Sequence, residues 1–178
     1  AHEYFTEVPE VIESPMVKNV WEWVGKKTVP TCAYCYTVGY ALADVLKKKY
    51  KTHFEVIRNM PEYYDLKKEK LPSQKPIILY QGALNVGRGL EQIIEAMKEI
   101  NEAELWLAGE GDISDFLREK TIQLHLQGKV KFLGYLLPEE LRNITPQATI
   151  GINLLENSSL NYYYSLANKT FDFVQAEV

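Results

Sequence analysis

Apolar residues recur along the first third of the chain with two alternating periods. Val17, Val20, Trp21 and Val24 fall at helical spacing, and Gly25 with two lysines closes the run, so residues 16–27 are expected to form a helix packed by its tryptophan face. A short strand is expected near residues 32–37. A helix from Tyr40 to Tyr50 follows, with Ala41, Leu42, Val45 and Leu46 on one face, and then a strand from Phe54 to Ile57. Beyond Arg58 the composition turns polar, with prolines and a Lys/Glu run, which predicts a linker over residues 59–75.

After the linker the pattern becomes regular. Ile77-Ile78-Leu79-Tyr80 is a short apolar run, followed by a glycine-rich turn and a helix in which Leu90, Ile93, Ile94 and Met97 share a face. Leu105-Trp106-Leu107-Ala108 repeats the unit, with the turn Gly109-Glu110-Gly111-Asp112 and a helix from Ser114 to Leu124. Two further strands are expected at Val130–Leu133 and Thr149–Asn153, with a short helix after Pro138 between them. Such alternation predicts an α/β fold: over residues 76–178 a Rossmann-like parallel sheet with helices on both faces, preceded by a partial second α/β domain in residues 1–58.

Composition narrows the function without naming it. A 46% hydrophobic content with 12% aromatic residues supports a buried core, and a net charge of −4 with interspersed signs excludes the one-sided basic surface of a nucleic-acid binder. No run approaches the roughly 18 apolar residues of a membrane helix, and no signal-peptide pattern opens the chain, so a cytoplasmic location is the default expectation. Cys32 and Cys35 form a C-x-x-C with no second ligand pair to complete a zinc site. Strand alternation would point them to opposite faces as two buried thiols. The Lys47–Lys49 run ends a helix and is expected to be a solvated face.

In an open α/β sheet ligands bind beyond the carboxyl ends of the strands, which directs attention to the loops after residues 81, 108, 133 and 153. The first, from Gly82 to Gly89, nearly matches a phosphate-binding loop, but Arg88 and Gly89 stand where such a loop has Lys and Ser/Thr. Glycines that allow close backbone approach, a helix start and one guanidinium describe an anion site rather than a magnesium nucleotide triphosphatase. Gly109 and Gly111 form a weaker signal of the same kind. Gly134 and Tyr135 open an apolar loop against which a nucleobase could lie. The segment from Asn157 to Asn168 sets Tyr162, Tyr163 and Tyr164 among amide and hydroxyl residues, chemistry that suits a sugar or a base. Asp172, among apolar neighbours near a helix start, could accept two ribose hydroxyls or merely cap the helix.

The order of these loops resembles the donor domain of the retaining, group 1 (family four) glycosyltransferases of the GT-B fold. Tyr80-Gln81-Gly82 with Arg88-Gly89-Leu90-Glu91, Leu107-Ala108-Gly109-Glu110-Gly111, and Phe132-Leu133-Gly134-Tyr135 resemble its first three motifs. Phe171-Asp172-Phe173-Val174 resembles its last, and Asn168-Lys169-Thr170-Phe171-Asp172-Phe173 looks like the N-K-x-F-[DE]-Y version of that segment. His2 looks like the family's histidine after an acceptor-domain strand. Three positions depart from the pattern. Ala83 occupies the place of the family's arginine, Arg88 that of its lysine, and Tyr164 that of the first glutamate of E-x7-E.

The resemblance implies an internal fragment, cut at both ends and inactive alone, spanning the end of the acceptor-side domain and most of the donor domain. It implies transfer of a hexose-type sugar from a nucleotide-diphosphate donor to an acceptor hydroxyl, with retention and with no metal or other cofactor. The acceptor could be a glycan, a lipid-linked sugar or a small molecule, and any peripheral membrane association is expected through the missing N-terminal part. In this reading His2 and Arg88 serve catalysis. Gly82, Arg88, Gly109, Gly111, Gly134, Tyr135, Tyr164, Lys169 and Asp172 hold the donor. A sugar-nucleotide epimerase on the same plan and a noncatalytic nucleotide- or sugar-binding module are the alternatives.

Overall fold

A computed structural model describes residues 3–63 and 75–178, so His2 and most of the expected linker lie outside the described residues. The chain divides into two units, Ala1–Met60 with Glu156–Leu166, and Pro61–Leu155 with Ala167–Val178.

In the first unit a 3-10 turn at Phe5–Glu7 leads to helix α1 (Pro9–Ile12) and helix α2 (Pro15–Thr28). Pro15 opens α2 where a missing N–H costs nothing, and Lys26 and Lys27 close it where cations suit the helix dipole. A 3-10 turn at Val29–Thr31 follows. Strand β1 (Tyr36–Thr37), helix α3 (Tyr40–Tyr50) and strand β2 (Glu55–Val56) then make a small parallel crossover, with Tyr36 opposite Glu55. Tyr4, Leu42, Ala43, Leu46 and Phe54 form its core.

Four expectations for this unit are corrected. None of the residues of α2 is buried, and Trp23 remains 64% exposed. The helix docks by a neighbouring stripe instead: Lys18 pairs with Glu7, Glu22 receives Lys49, and Gly25 lies so close to Tyr50 that a Cβ there would meet its hydroxyl at 2.9 Å. Lys49 is thus not a solvated charge, since its ammonium donates to Thr6 and Glu22 over the Tyr4 ring. The strand expected from residue 32 begins only at Tyr36, because the 3-10 turn carries the helical path onward. The two thiols therefore share one side. Cys32 donates to the Thr28 carbonyl at 3.6 Å and Cys35 to that of Val29 at 3.8 Å, with Cys32 exposed and Cys35 only partly buried.

The second unit is a four-stranded parallel sheet. Its elements are β3 (Ile77–Gln81), α4 (Leu90–Ala96), β4 (Glu104–Ala108), α5 (Ser114–Gln123), β5 (Val130–Gly134), α6 (Pro138–Ile144) and β6 (Ile150–Gly151). After α7 (Leu160–Tyr163) comes α8 (Asn168–Gln175). The strand order is β5-β4-β3-β6. Alternate strand residues face opposite layers, as the pleat requires. Tyr80, Leu105 and Leu107 pack with Leu90 and Ile94 of α4, Met97 at its end and Leu117 of α5, whereas Ile77, Leu79 and Ala108 pack with Phe173 of α8 and Leu141 and Ile144 of α6. Helices thus cover both faces, as the run of apolar strands predicts.

The segment around α7 belongs to the first unit, although the sequence pattern assigned it to the donor domain. Asn161 is buried and its side-chain oxygen accepts the Tyr4 N–H at 2.8 Å, while Tyr164 packs against the Tyr4, Leu42 and Leu46 cluster.

Candidate functional site

Strand order fixes where a ligand site can form. β4 and β5 extend the sheet to one side of β3 and β6 to the other, so the chain reverses its direction of sheet growth at β3. Loops leaving β3 and β6 at their carboxyl ends diverge there and leave a crevice.

Gly82 follows β3 directly and has φ +128°, a backbone state that side-chain-bearing residues rarely adopt. A Cβ on it would stand 3.2 Å from the Lys169 ammonium. Lys169 comes from the first turn of α8, is 9% exposed, and finds no hydrogen-bond acceptor among the described residues. Its ammonium lies 3.7 Å from the centre of the Tyr80 ring. The Tyr80 hydroxyl donates to the Ala83 carbonyl at 2.7 Å, fixing both the ring and the start of the loop. Burial, reinforced by the nearby Arg88 guanidinium, pushes the Lys169 pKa down to about 7. A cation held dry, beside a second cation and at the positive end of a helix, is a poor arrangement for stability and a good one for an anion.

Asp172 lies one turn further along α8, so it is not at the helix start. Its carboxylate accepts the Gln81 amide at 2.8 Å, and the Gln81 oxygen accepts the Thr145 hydroxyl at 2.9 Å. Burial raises the Asp172 pKa and the Gln81 bond opposes that rise. Gln81 and Thr145 are themselves buried, and this chain of hydrogen bonds fixes the orientation of the carboxylate. Sequence reading missed both residues. The available signal was Gln81, a polar side chain closing an otherwise apolar strand.

Gly109 and Gly111 act first on the neighbouring loop. A Cβ on Gly109 would fall 1.9 Å from the Gly82 carbonyl oxygen, and one on Gly111 would fall 2.2 Å from the Asn85 side-chain oxygen. The Gly82 N–H donates to Ala108, the Leu84 N–H to Glu110, and the Gly109 N–H to Gly134, so the sheet ladder continues into all three loops. Gly134 stands beside Glu110, whose carboxylate is held ionised by Ser114 and Arg118, and Tyr135 is 73% exposed next to it.

Of the expected site residues, Gly82, Arg88, Lys169 and Asp172 gather around the β3 loop and α8. Gly109, Gly111, Gly134 and Tyr135 line the adjoining loops of the same unit, and Tyr164 is partly buried against the core of the first unit. Among the described residues no group of three or more His, Cys, Asp or Glu is placed to hold a metal ion, and no helix is long and apolar enough to cross a membrane.

Comparison with known proteins gives these loops a family. The chain is 36% identical over 77 residues to an uncharacterized glycosyltransferase of Methanocaldococcus jannaschii, covering 42% of this chain and 20% of that protein. It is 28% identical over 109 residues to the lipopolysaccharide core biosynthesis glycosyltransferase LpsE of Rhizobium meliloti, covering 58% and 32%. The chain thus spans less than half the length of these relatives. Its fold matches the crystal structure of the pneumococcal O-GlcNAc transferase GtfA in complex with UDP and GlcNAc with a TM-score of 0.68, at 14% identity over 87% of this chain and 31% of that one. This is the GT-B architecture. The family model for glycosyl transferases group 1 matches residues 64–154, which run from before β3 through the loop after β6. By that match, covering more than half its length, the chain belongs to the group 1 glycosyltransferase family.

Proposed function

We propose that the second unit binds the diphosphate of a nucleotide-sugar donor, and that the protein to which the chain belongs transfers the sugar to an acceptor hydroxyl with retention. The observation that carries this reading is the buried Lys169 ammonium beneath Gly82, with Arg88 beside it and no acceptor in reach among the described residues. When the bond between the sugar and the distal phosphate breaks, negative charge collects on the departing diphosphate. Fixed cations in a dry crevice stabilise that charge with little reorganisation. Asp172 is assigned to the ribose hydroxyls, Tyr135 and the Gly134 backbone to the base, and His2 to the acceptor side. The shift from the family's arginine and lysine to Ala83 and Arg88 leaves one cation fewer on the β3 loop, and Lys169 compensates from α8.

The test is a calorimetric titration of the chain with UDP, GDP, ADP and the matching monophosphates, starting with uridine because the pneumococcal neighbour holds UDP. Preference for one diphosphate over its monophosphate is expected. Equal affinity for both would remove the distal phosphate from the site. Arg88→Ala is expected to weaken diphosphate binding by about 1–3 kcal/mol, the scale of a charge-assisted hydrogen bond, while leaving monophosphate binding less affected.

A further inference from the structure

The thiols of Cys32 and Cys35 play no part in the donor site, yet their placement is not that of inert core cysteines. Both donate to adjacent carbonyls at the end of one helical run, Cys32 to Thr28 and Cys35 to Val29, which brings the two sulfurs to the same end of α2. Cys32 is open to solvent and Cys35 half-shielded behind it. An exposed attacking thiol with a sheltered partner three residues on is the layout that thiol–disulfide exchange requires.

We propose that Cys32 and Cys35 form a reversible disulfide by exchange with a low-molecular-weight disulfide of the glutathione type. The Cys32 thiolate attacks one sulfur of the external disulfide and forms a mixed disulfide, releasing one small thiolate, which takes up a proton. Cys35 then loses its proton to solvent and attacks the Cys32 sulfur, releasing the second small thiol. Two electrons pass from the protein dithiol to the external disulfide, which becomes two thiols. Burial, and then the neighbouring Cys32, raise the Cys35 pKa, which keeps Cys35 protonated while Cys32 makes the first attack. Closure would tie the end of α2 to the approach of β1.

The test is incubation of the chain with oxidised and reduced glutathione at graded ratios, followed by acid quenching, alkylation and intact mass measurement. The expected product is a single species lighter by two hydrogens, with both thiols lost to alkylation together. Cys35→Ser is expected to stop at the mixed disulfide on Cys32 and to accumulate at least tenfold more of that adduct than the wild type. Cys32→Ser is expected to leave Cys35 alkylated only slowly. Wild-type chain that stays fully alkylatable, or that gathers glutathione adducts without closing, would overturn the proposal. So would a Cys35→Ser variant with no more adduct than wild type. The wild-type measurement stands by itself if a variant folds poorly.

Discussion

Lys169→Met is expected to raise the melting temperature of the chain and to remove its affinity for a nucleoside diphosphate. The two effects share one cause. Methionine keeps the length and apolar character of the lysine stem over the Tyr80 ring and removes the ammonium, which is 3.7 Å from the ring centre and has no hydrogen-bond acceptor among the described residues. Relief of one buried, unsatisfied polar group is worth about 1–3 kcal/mol. At this chain length that amounts to a rise of several degrees in Tm. In the unfolded chain lysine holds its proton up to about pH 10.5, in the folded one only up to about 7. Between those values the unfolded chain binds more protons, so this group makes stability fall as pH drops from 10.5 towards 7 and adds no further change below 7. The gain from methionine is therefore largest at and below neutral pH and shrinks as pH rises towards 10.5, which a melting series in matched buffers would read directly.

A bound diphosphate reverses the preference, because it favours the ammonium form. Binding above pH 7 must then bring a proton with it, and affinity should fall as pH rises, approaching tenfold per unit for one linked proton. The phosphate's own second ionisation near pH 6 is complete in that range and does not contribute. The groups facing Lys169 are Arg88 from the β3 loop and the Tyr80 ring below it. On its own helix Asp172 is engaged by Gln81. Lys169→Arg should retain binding with a flat pH profile, since a guanidinium stays charged throughout. A pH slope that survives in Lys169→Met would place the linked proton elsewhere and take Lys169 out of contact with the anion.

The sheet of the second unit was legible because every signal agreed there. Apolar runs of strand length at Ile77, Leu105 and Val130, each followed by glycine and a helix-period stripe, leave one arrangement that buries both faces of the strands. The first unit was less legible because two of its signals conflict locally. The Val17, Val20 and Trp21 stripe reads as a buried face, yet the fold docks α2 through Glu22 and Gly25, where the small residue lets α3 come close. The Cys32–Tyr36 run reads as strand by composition, but Pro30 sits at the start of a 3-10 turn that continues α2, and the thiols satisfy that turn's carbonyls. At the site, Gly82 and Arg88 could be found from local spacing alone. Lys169 owes its meaning to distance across the fold: nothing in Asn168-Lys169-Thr170 reveals that the ammonium is buried under Gly82, 87 positions away in sequence. Tyr164 shows the converse. Counting along the chain placed it with the donor residues, whereas the buried Asn161 anchor carries its segment into the first unit.

The largest single loss of stability is expected from Gly109→Ala. Its Cβ would stand 1.9 Å from the Gly82 carbonyl oxygen and 2.8 Å from the carbonyl carbon, both backbone atoms, and its φ of +147° disfavours any side chain. Neither loop can yield cheaply. The Gly82 N–H is bonded to Ala108 at 2.9 Å and the Gly109 N–H to Gly134 at 2.8 Å, so separating the loops breaks the ladder on both sides of β4. Strain and lost hydrogen bonds together should cost about 3–5 kcal/mol. Gly128→Ala, where a Cβ would meet nothing within 4 Å, is the matched control and should lie within about 0.5 kcal/mol of wild type. Denaturant melts of the two variants measure the difference. Displacing Gly82 also moves the start of the β3 loop away from Lys169, so whatever Gly109→Ala protein still folds should bind diphosphate more weakly than Gly128→Ala. Wild-type stability in Gly109→Ala would mean that the β3 and β4 loops do not approach one another as described, and the crevice assigned to the donor would lose the wall that holds Gly82 in place.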